Sequence, residues 1–371
     1  MPDEEEVRVS TLELFFDLVF VFTLTQLTTL LAGELSFAGA GKVLLIFVVL
    51  LFMYAAYVWL TNQVPPRRPA RRLLLMLGMA GFLVCALAVP RVFDGGGVAF
   101  GVGYLLVVLV HGGLYVQAYG TAALRFAPLN VVSALTLLAA GFLDGSVAYL
   151  LWLAVIVVEF VTPQVANRAA TRLVISPAHF VERHGLLLLV ALGESVVAVG
   201  IGLGDVPLDL GLFAAAVLGL ALAAALWWTY FVGEDERAER AIADAPAAQR
   251  LRVANNAYFY AYIPVLLGVI TIAAGVKHSI GHVADPLDTA SALALGGGVA
   301  LYLAGDVAFR ATLRIRPVGF RAAAALVALA TVALGVRVAA AAQLVGLVAI
   351  LAVMLAAEAR QRRAEAAVPS G

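Results

Sequence analysis

Charge is the scarcest thing in this chain. Of its 371 residues only 13% are Asp, Glu, Lys or Arg, where a soluble globular domain carries roughly 25%. The deficit excludes an ordinary water-soluble fold of this length, which would alternate polar and apolar faces along its elements. Cysteine is nearly absent. A lone Cys85 excludes an intrachain disulfide and a cysteine metal cluster, and its apolar surroundings mark it as a small buried residue. The 24 basic and 24 acidic residues cancel, leaving no net field for nucleic acid. Walker loops, dinucleotide fingerprints and serine-hydrolase elbows are missing, so no cofactor is expected. The chain opens Asp3-Glu4-Glu5-Glu6, not with the basic n-region of a signal peptide, and the apolar block that follows is too long for a signal core. That block is expected to persist as a first helix.

What is abundant is apolar sequence, 63% of the chain, in blocks of about 20 residues, the length that crosses a hydrocarbon layer as a helix. Most blocks are apolar all round, as lipid-facing bundle helices are. The pattern predicts an all-α polytopic membrane protein with about twelve spans. The blocks are Leu12–Ala32, Gly41–Asn62, Arg72–Pro90, Val98–Thr121, Ala127–Leu143, Ser146–Pro163, His184–Gly204, Leu208–Val232, Val253–Val276, Thr289–Phe309, Val318–Val336 and Ala340–Glu358. Twelve spans put Lys42, Arg91, Lys277 and Arg337 on one side and the other 20 of the 24 basic residues on the opposite side. By the positive-inside rule that richer side is cytoplasmic, and both termini lie there. The expected location is the cytoplasmic (inner) membrane, with the lipid bilayer as first partner.

The two halves, 1–168 and 169–371, resemble copies. A shift of 169 residues lays Glu13 on Glu182, and Ala55-Ala56-Tyr57-Val58-Trp59 on Ala224-Ala225-Leu226-Trp227-Trp228. A shift of 189 lays Leu124-Arg125-Phe126-Ala127-Pro128 on Leu313-Arg314-Ile315-Arg316-Pro317. Six helices per half is an even number, so the expected 6+6 repeat is parallel, about an axis along the membrane normal.

Ionisable residues inside spans are costly and are the candidate site. Glu13 and Asp17 are four apart and share a face of the first helix, continued by Leu24 and Thr28. For Glu13 the competing reading, a side chain reaching back to the cytoplasmic surface, is the stronger one. Asp17 is too short and too deep for that. Glu194, in Leu192-Gly193-Glu194-Ser195, lies ten residues into its block, roughly 15 Å at helical rise, near the bilayer midplane. There it is a natural proton acceptor or ion ligand, with Ser195 beside it. His111 is near the middle of the fourth block and suits a site or an interhelical donor equally. Glu159 and Asp306, near cytoplasmic helix ends, are expected to meet water or an arginine. His278 and His282 have metal-pair spacing but no clear third ligand, so no metal is expected.

Two stretches carry a family resemblance. Glu13-Leu14-Phe15-Phe16-Asp17-Leu18-Val19-Phe20-Val21-Phe22, together with His179-Phe180-Val181-Glu182-Arg183-His184-Gly185-Leu186 and Gly193-Glu194-Ser195, resembles the bacterial low temperature requirement protein A family. The resemblance implies a polytopic protein of the cytoplasmic membrane; the family name records a growth phenotype and implies no mechanism. Phe15 to Phe20, with Arg8 upstream and Thr25-Gln26-Leu27 downstream, is also similar to the first helix of six-helix potassium channels with a Phe-Ser-Asp motif. Phe16 replaces the serine, and Leu186 stands where a second copy would have the aspartate.

The leading expectation is a transport protein for a small solute or ion, a proton or monovalent cation: a secondary transporter with proton coupling, or a channel. A membrane enzyme acting on a lipid or quinone, with Glu194, His111 and Asp17 as acid and base, is the alternative from another class, and a structural or regulatory protein a third. Self-association into a homo-oligomer is left open.

Overall fold

The computed structural model describes residues 9–64, 66, 68–120, 127–169, 175–202, 210–280 and 282–366. Among them every regular element is helical. In chain order these are α1 (Thr11–Gly33), α2 (Phe37–Gln63), α3 (Pro69–Ala88), α4 (Gly97–Tyr119), α5 (Ala127–Ala140), α6 (Gly145–Ala169), α7 (Pro177–Gly202) and α8 (Leu210–Phe231). There follow α9 (Glu234–Ala243), α10 (Ala247–Asn255), α11 (Tyr262–Ser279), α12 (Thr289–Thr312), α13 (Gly319–Ala330), α14 (Val332–Arg337) and α15 (Ala340–Ala366).

Each apolar block falls on a helix. Among the described residues, nine helical stretches are long and apolar enough to cross a membrane. One of them, Pro69–Ala118, is 50 residues long and takes in α3 and all but the last residue of α4. The chain turns back between them at Asp94 and Gly95, whose backbones leave the helical region, Gly95 at φ 82°. α5, at 14 residues, is shorter than a full crossing.

The chain forms two compact units. The first comprises Met1–Leu30, Ala38–Leu187 and Ala245–Asn255; the second comprises Leu31–Phe37, Leu188–Asp244 and Asn256–Gly371. The chain passes between them several times, once within α7 after Leu187. In the first unit α2 is buried along most of its length, and α3, α4, α5 and α6 pack as successive neighbours. Glycines set the spacing: a Cβ on Gly101 of α4 would collide with the backbone of Leu138 on α5. In the second unit α11 is the buried helix, packed on α12, which packs in turn on α13. Gly268 of α11 meets the backbone of Tyr302 on α12, where a Cβ would come within 2.6 Å of the tyrosine nitrogen.

Helix α1 shows how the membrane inverts amphipathicity. Glu13, Phe16, Asp17, Phe20, Leu24, Leu27, Thr28 and Leu31 are buried at i, i+3, i+4, i+7 spacing, while Leu14, Phe15 and Leu18 face outward. Exposed Phe213, Val217 and Leu220 on α8 follow the same rule. Apolar side chains outside and carboxylates inside suit a hydrocarbon solvent, not water.

Candidate functional site

The first unit holds a buried charge cluster on α1, α2 and α7. Helix α7 begins at Pro177, seven residues before the apolar block, because Pro is well suited to a first helical position. That early turn carries His179 and Arg183 inward, and both are buried while Glu182 is exposed. Arg183 lies between the two acids of α1. Its Nε and Nη2 donate to Asp17 Oδ1 at 3.2 and 3.0 Å, and Nη1 donates to Glu13 Oε1 at 3.1 Å and to Thr61 Oγ1. Phe16 packs its ring 5.6 Å from the guanidinium carbon, a cation–π contact.

The rest of the cluster satisfies what remains. Tyr54 of α2 donates to Asp17 Oδ1 at 3.0 Å. The Ser10 amide and hydroxyl donate to Glu13 Oε2 at 2.9 and 2.7 Å. Asn62 is oriented by the Ser176 backbone, its Oδ1 accepting from the amide at 3.1 Å and its Nδ2 donating to the carbonyl at 3.2 Å. Its Nδ2 therefore also donates to His179 Nδ1 at 3.0 Å. This puts the imidazole's proton on Nε2, which faces Glu13 Oε1 at 3.4 Å. Glu13 is thus a core ion-pair partner, not a side chain reaching the surface as expected: it is 2% exposed. A small cleft beside Thr61 is lined by Leu60, Val64, Pro66, Arg71, Leu75 and Leu114.

The second unit holds a larger cluster, of which Asp306, Arg321 and Glu358 lie within apolar blocks and Glu234 and Arg310 just outside them. Arg310 of α12 bridges Glu234, the first residue of α9, with Nε to Oε2 at 3.1 Å, and Glu358 of α15, with Nη1 to Oε1 at 3.1 Å. Arg321 of α13 donates from Nη1 to Asp306 Oδ2 at 2.6 Å, from Nε to Glu358 Oε1 at 2.9 Å, and from Nη2 to the Thr229 carbonyl at 3.0 Å. Asp306 thus meets an arginine, as expected. Arg237 and Arg362, at the rim, pair with Glu234 and Glu358, each at 3.1 Å.

The other candidates are placed separately. His111 Nε2 lies 3.3 Å from the Ala56 carbonyl, its ring 5.2 Å from that of Tyr57. Glu194 is partly exposed on α7 in the second unit; the side chain of Ser195 lies outside the described residues. Glu159 departs from expectation. It is 1% exposed, with Tyr104 as its hydrogen-bond partner at 2.6 Å, and among the described residues no arginine pairs with it. His278 bonds the Ala32 carbonyl at 2.7 Å and His282 lies 3.6 Å from Asp285. Among the described residues no group of three metal-ligating side chains exists.

Arg183, Arg310 and Arg321 are the residues sequence reasoning missed. All three belong to the basic residues that the positive-inside rule places on the cytoplasmic side, yet each is at most 1% exposed. The available signal was position: Arg183 and Arg310 adjoin apolar blocks and Arg321 lies inside one, with carboxylates on other blocks.

Long apolar helices with arginine–carboxylate clusters sealed inside define a multi-pass helical membrane protein. The chain belongs to the bacterial low temperature requirement A protein family, whose model matches residues 8–356. It is also 28% identical over 318 residues to the uncharacterized protein RA0937 of Rhizobium meliloti (strain 1021), covering 82% of this chain and 77% of that protein.

Proposed function

We propose that this chain transports a small solute or ion across the bacterial inner membrane, as a proton-coupled secondary transporter or a cation channel, with both termini in the cytoplasm. The observation that carries the reading is the Glu13–Asp17–Arg183 cluster, sealed among apolar helices of a chain with little charge. Buried ion pairs contribute little net stability over an apolar replacement, whereas ionisable groups at membrane depth mark pathways and proton relays. In this account Asp17 and Glu13 lie along the path, with His111 beside it. Glu194 is the proton or cation site near the midplane, with Ser195 next to it.

The parallel 6+6 repeat belongs to the same proposal. Supporting it, Tyr104 of α4 reaches the Val49 carbonyl of α2 at 3.5 Å, and Tyr302 of α12 donates to the Leu226 carbonyl of α8 at 3.1 Å. In both units the fourth repeat helix thereby touches the second.

The test is flux. Purified protein in liposomes containing a pH dye or a potassium-sensitive dye is challenged with ion gradients, alongside Glu194→Gln and Asp17→Asn. Flux that both substitutions abolish, in folded protein, is expected. Folded wild type that passes neither protons nor potassium would remove the channel and proton-leak readings.

A further inference from the structure

Glu159 is a carboxyl in the wrong company. It projects from α6 on the same face as the buried Trp152 and Val155. Its Oε1 lies 2.6 Å from the Tyr104 hydroxyl, and its Oε2, fully buried, has no hydrogen-bond partner among the described residues. Of the helices packed around it, α5 carries no ionisable residue. α4 presents Tyr104, with Cys85 of α3 behind it, bonded through its thiol to the Phe100 carbonyl at 3.6 Å. On α10, Arg252 is exposed and Arg250 donates to the Ala245 carbonyl at 3.5 Å. On α2 the Val49 carbonyl lies 3.5 Å from the Tyr104 hydroxyl, and Lys42 is seven residues back along that helix, roughly 10 Å. Among the described residues no cation pairs with Glu159.

The second unit supplies the contrast. Tyr104 and Glu159 are 55 residues apart, on the fourth and sixth helices of the first half. Tyr302 and Glu358 are 56 apart, on α12 and α15, the fourth and sixth spans of the second half under the proposed repeat. Glu358 is held by three arginines; Glu159, its counterpart under the proposed repeat, has a phenol. An ionised carboxylate sealed from water without a counter-charge is far costlier than a neutral acid.

We propose that Glu159 is a proton-binding site, the acid holding its proton at neutral pH against Tyr104. The hydrogen bonds fit. A tyrosine has one hydroxyl hydrogen, while Tyr104 faces two acceptors, Glu159 Oε1 and the Val49 carbonyl at 3.5 Å. With the proton on Oε1, the acid donates to Tyr104 and Tyr104 donates to Val49. On its loss, the tyrosine hydrogen turns to the carboxylate. The assignment stands without the transport reading; under that reading it supplies a proton carrier to the first unit.

The test is infrared spectroscopy of the purified full-length protein in nanodiscs at neutral pH, with a readout independent of flux. Protonated carboxylic acids absorb at a frequency distinct from carboxylates. Glu159→Gln, which mimics the neutral acid in shape and hydrogen bonding, is expected to fold and to lose one acid band. Tyr104→Phe is expected to keep that band but shift it, as the acid loses its acceptor. Loss of a carboxylate band in Glu159→Gln with the acid region unchanged would overturn the proposal. So would failure of Glu159→Gln to fold, since a neutral isostere must be tolerated where the native group is neutral.

Discussion

Arg183 has to satisfy several hydrogen-bond donors where no water reaches, and it does so against two carboxylates, a hydroxyl and an aromatic face. Removing one member leaves the others charged and unpaired, which costs about 3–5 kcal/mol for a buried pair. Arg183→Met is expected to lower stability by that order, read by unfolding in detergent. Neutralising the partners as well, in Glu13→Gln/Asp17→Asn/Arg183→Met, is expected to restore most of it, because the desolvation penalty disappears with the charges. Asp17 was legible from sequence because a short carboxylate deep in an apolar block has no route to water. Arg183 was not, because its neighbours His179, Glu182 and His184 make the first turns of α7 read as loop. Glu13 misled for a related reason: its position near a helix end fits both a surface carboxylate and a buried one, and only the partner on another helix decides.

Helices were the readable level, since blocks of uniform apolarity leave the backbone few other ways to satisfy its own hydrogen bonds. How they approach was not readable, because that depends on which glycine faces which backbone. Gly268→Ala would place a Cβ against the Tyr302 backbone and is expected to push α11 from α12 and lower thermal stability by several degrees. Outside the spans, helix α12 starts with Asp288 as N-cap, accepting from the amides of Ala290 and Ser291 at 2.9 and 3.0 Å. The Ser291 hydroxyl, foremost, and these amides hold its carboxyl below the ordinary carboxylate range. A carboxyl lowered in the folded state contributes stability above its unfolded value, about 3.9, and loses it as pH falls through the folded value. Asp288→Ala is therefore expected to cost about 1 kcal/mol at neutral pH, with the gap to wild type closing below about pH 4 in unfolding curves measured across pH.

For the whole molecule, the proposed orientation rests on the distribution of the basic residues, and three of these, Arg183, Arg310 and Arg321, are core groups. The proposed topology can be checked directly. With the buried Cys85 replaced by alanine, His282→Cys is expected to react with a membrane-impermeant maleimide in intact cells, and Arg363→Cys only after permeabilisation. The reverse pattern would invert the topology. The central claim is that the charges sealed inside the first unit serve movement across the membrane. The measurement that tests it most directly is proteoliposome flux of the Glu13→Gln/Asp17→Asn/Arg183→Met protein beside wild type, each shown to be folded by its thermal unfolding. The account predicts a stable variant with no flux where wild type conducts. A stable variant whose flux equals wild type would contradict it and leave the cluster as architecture alone.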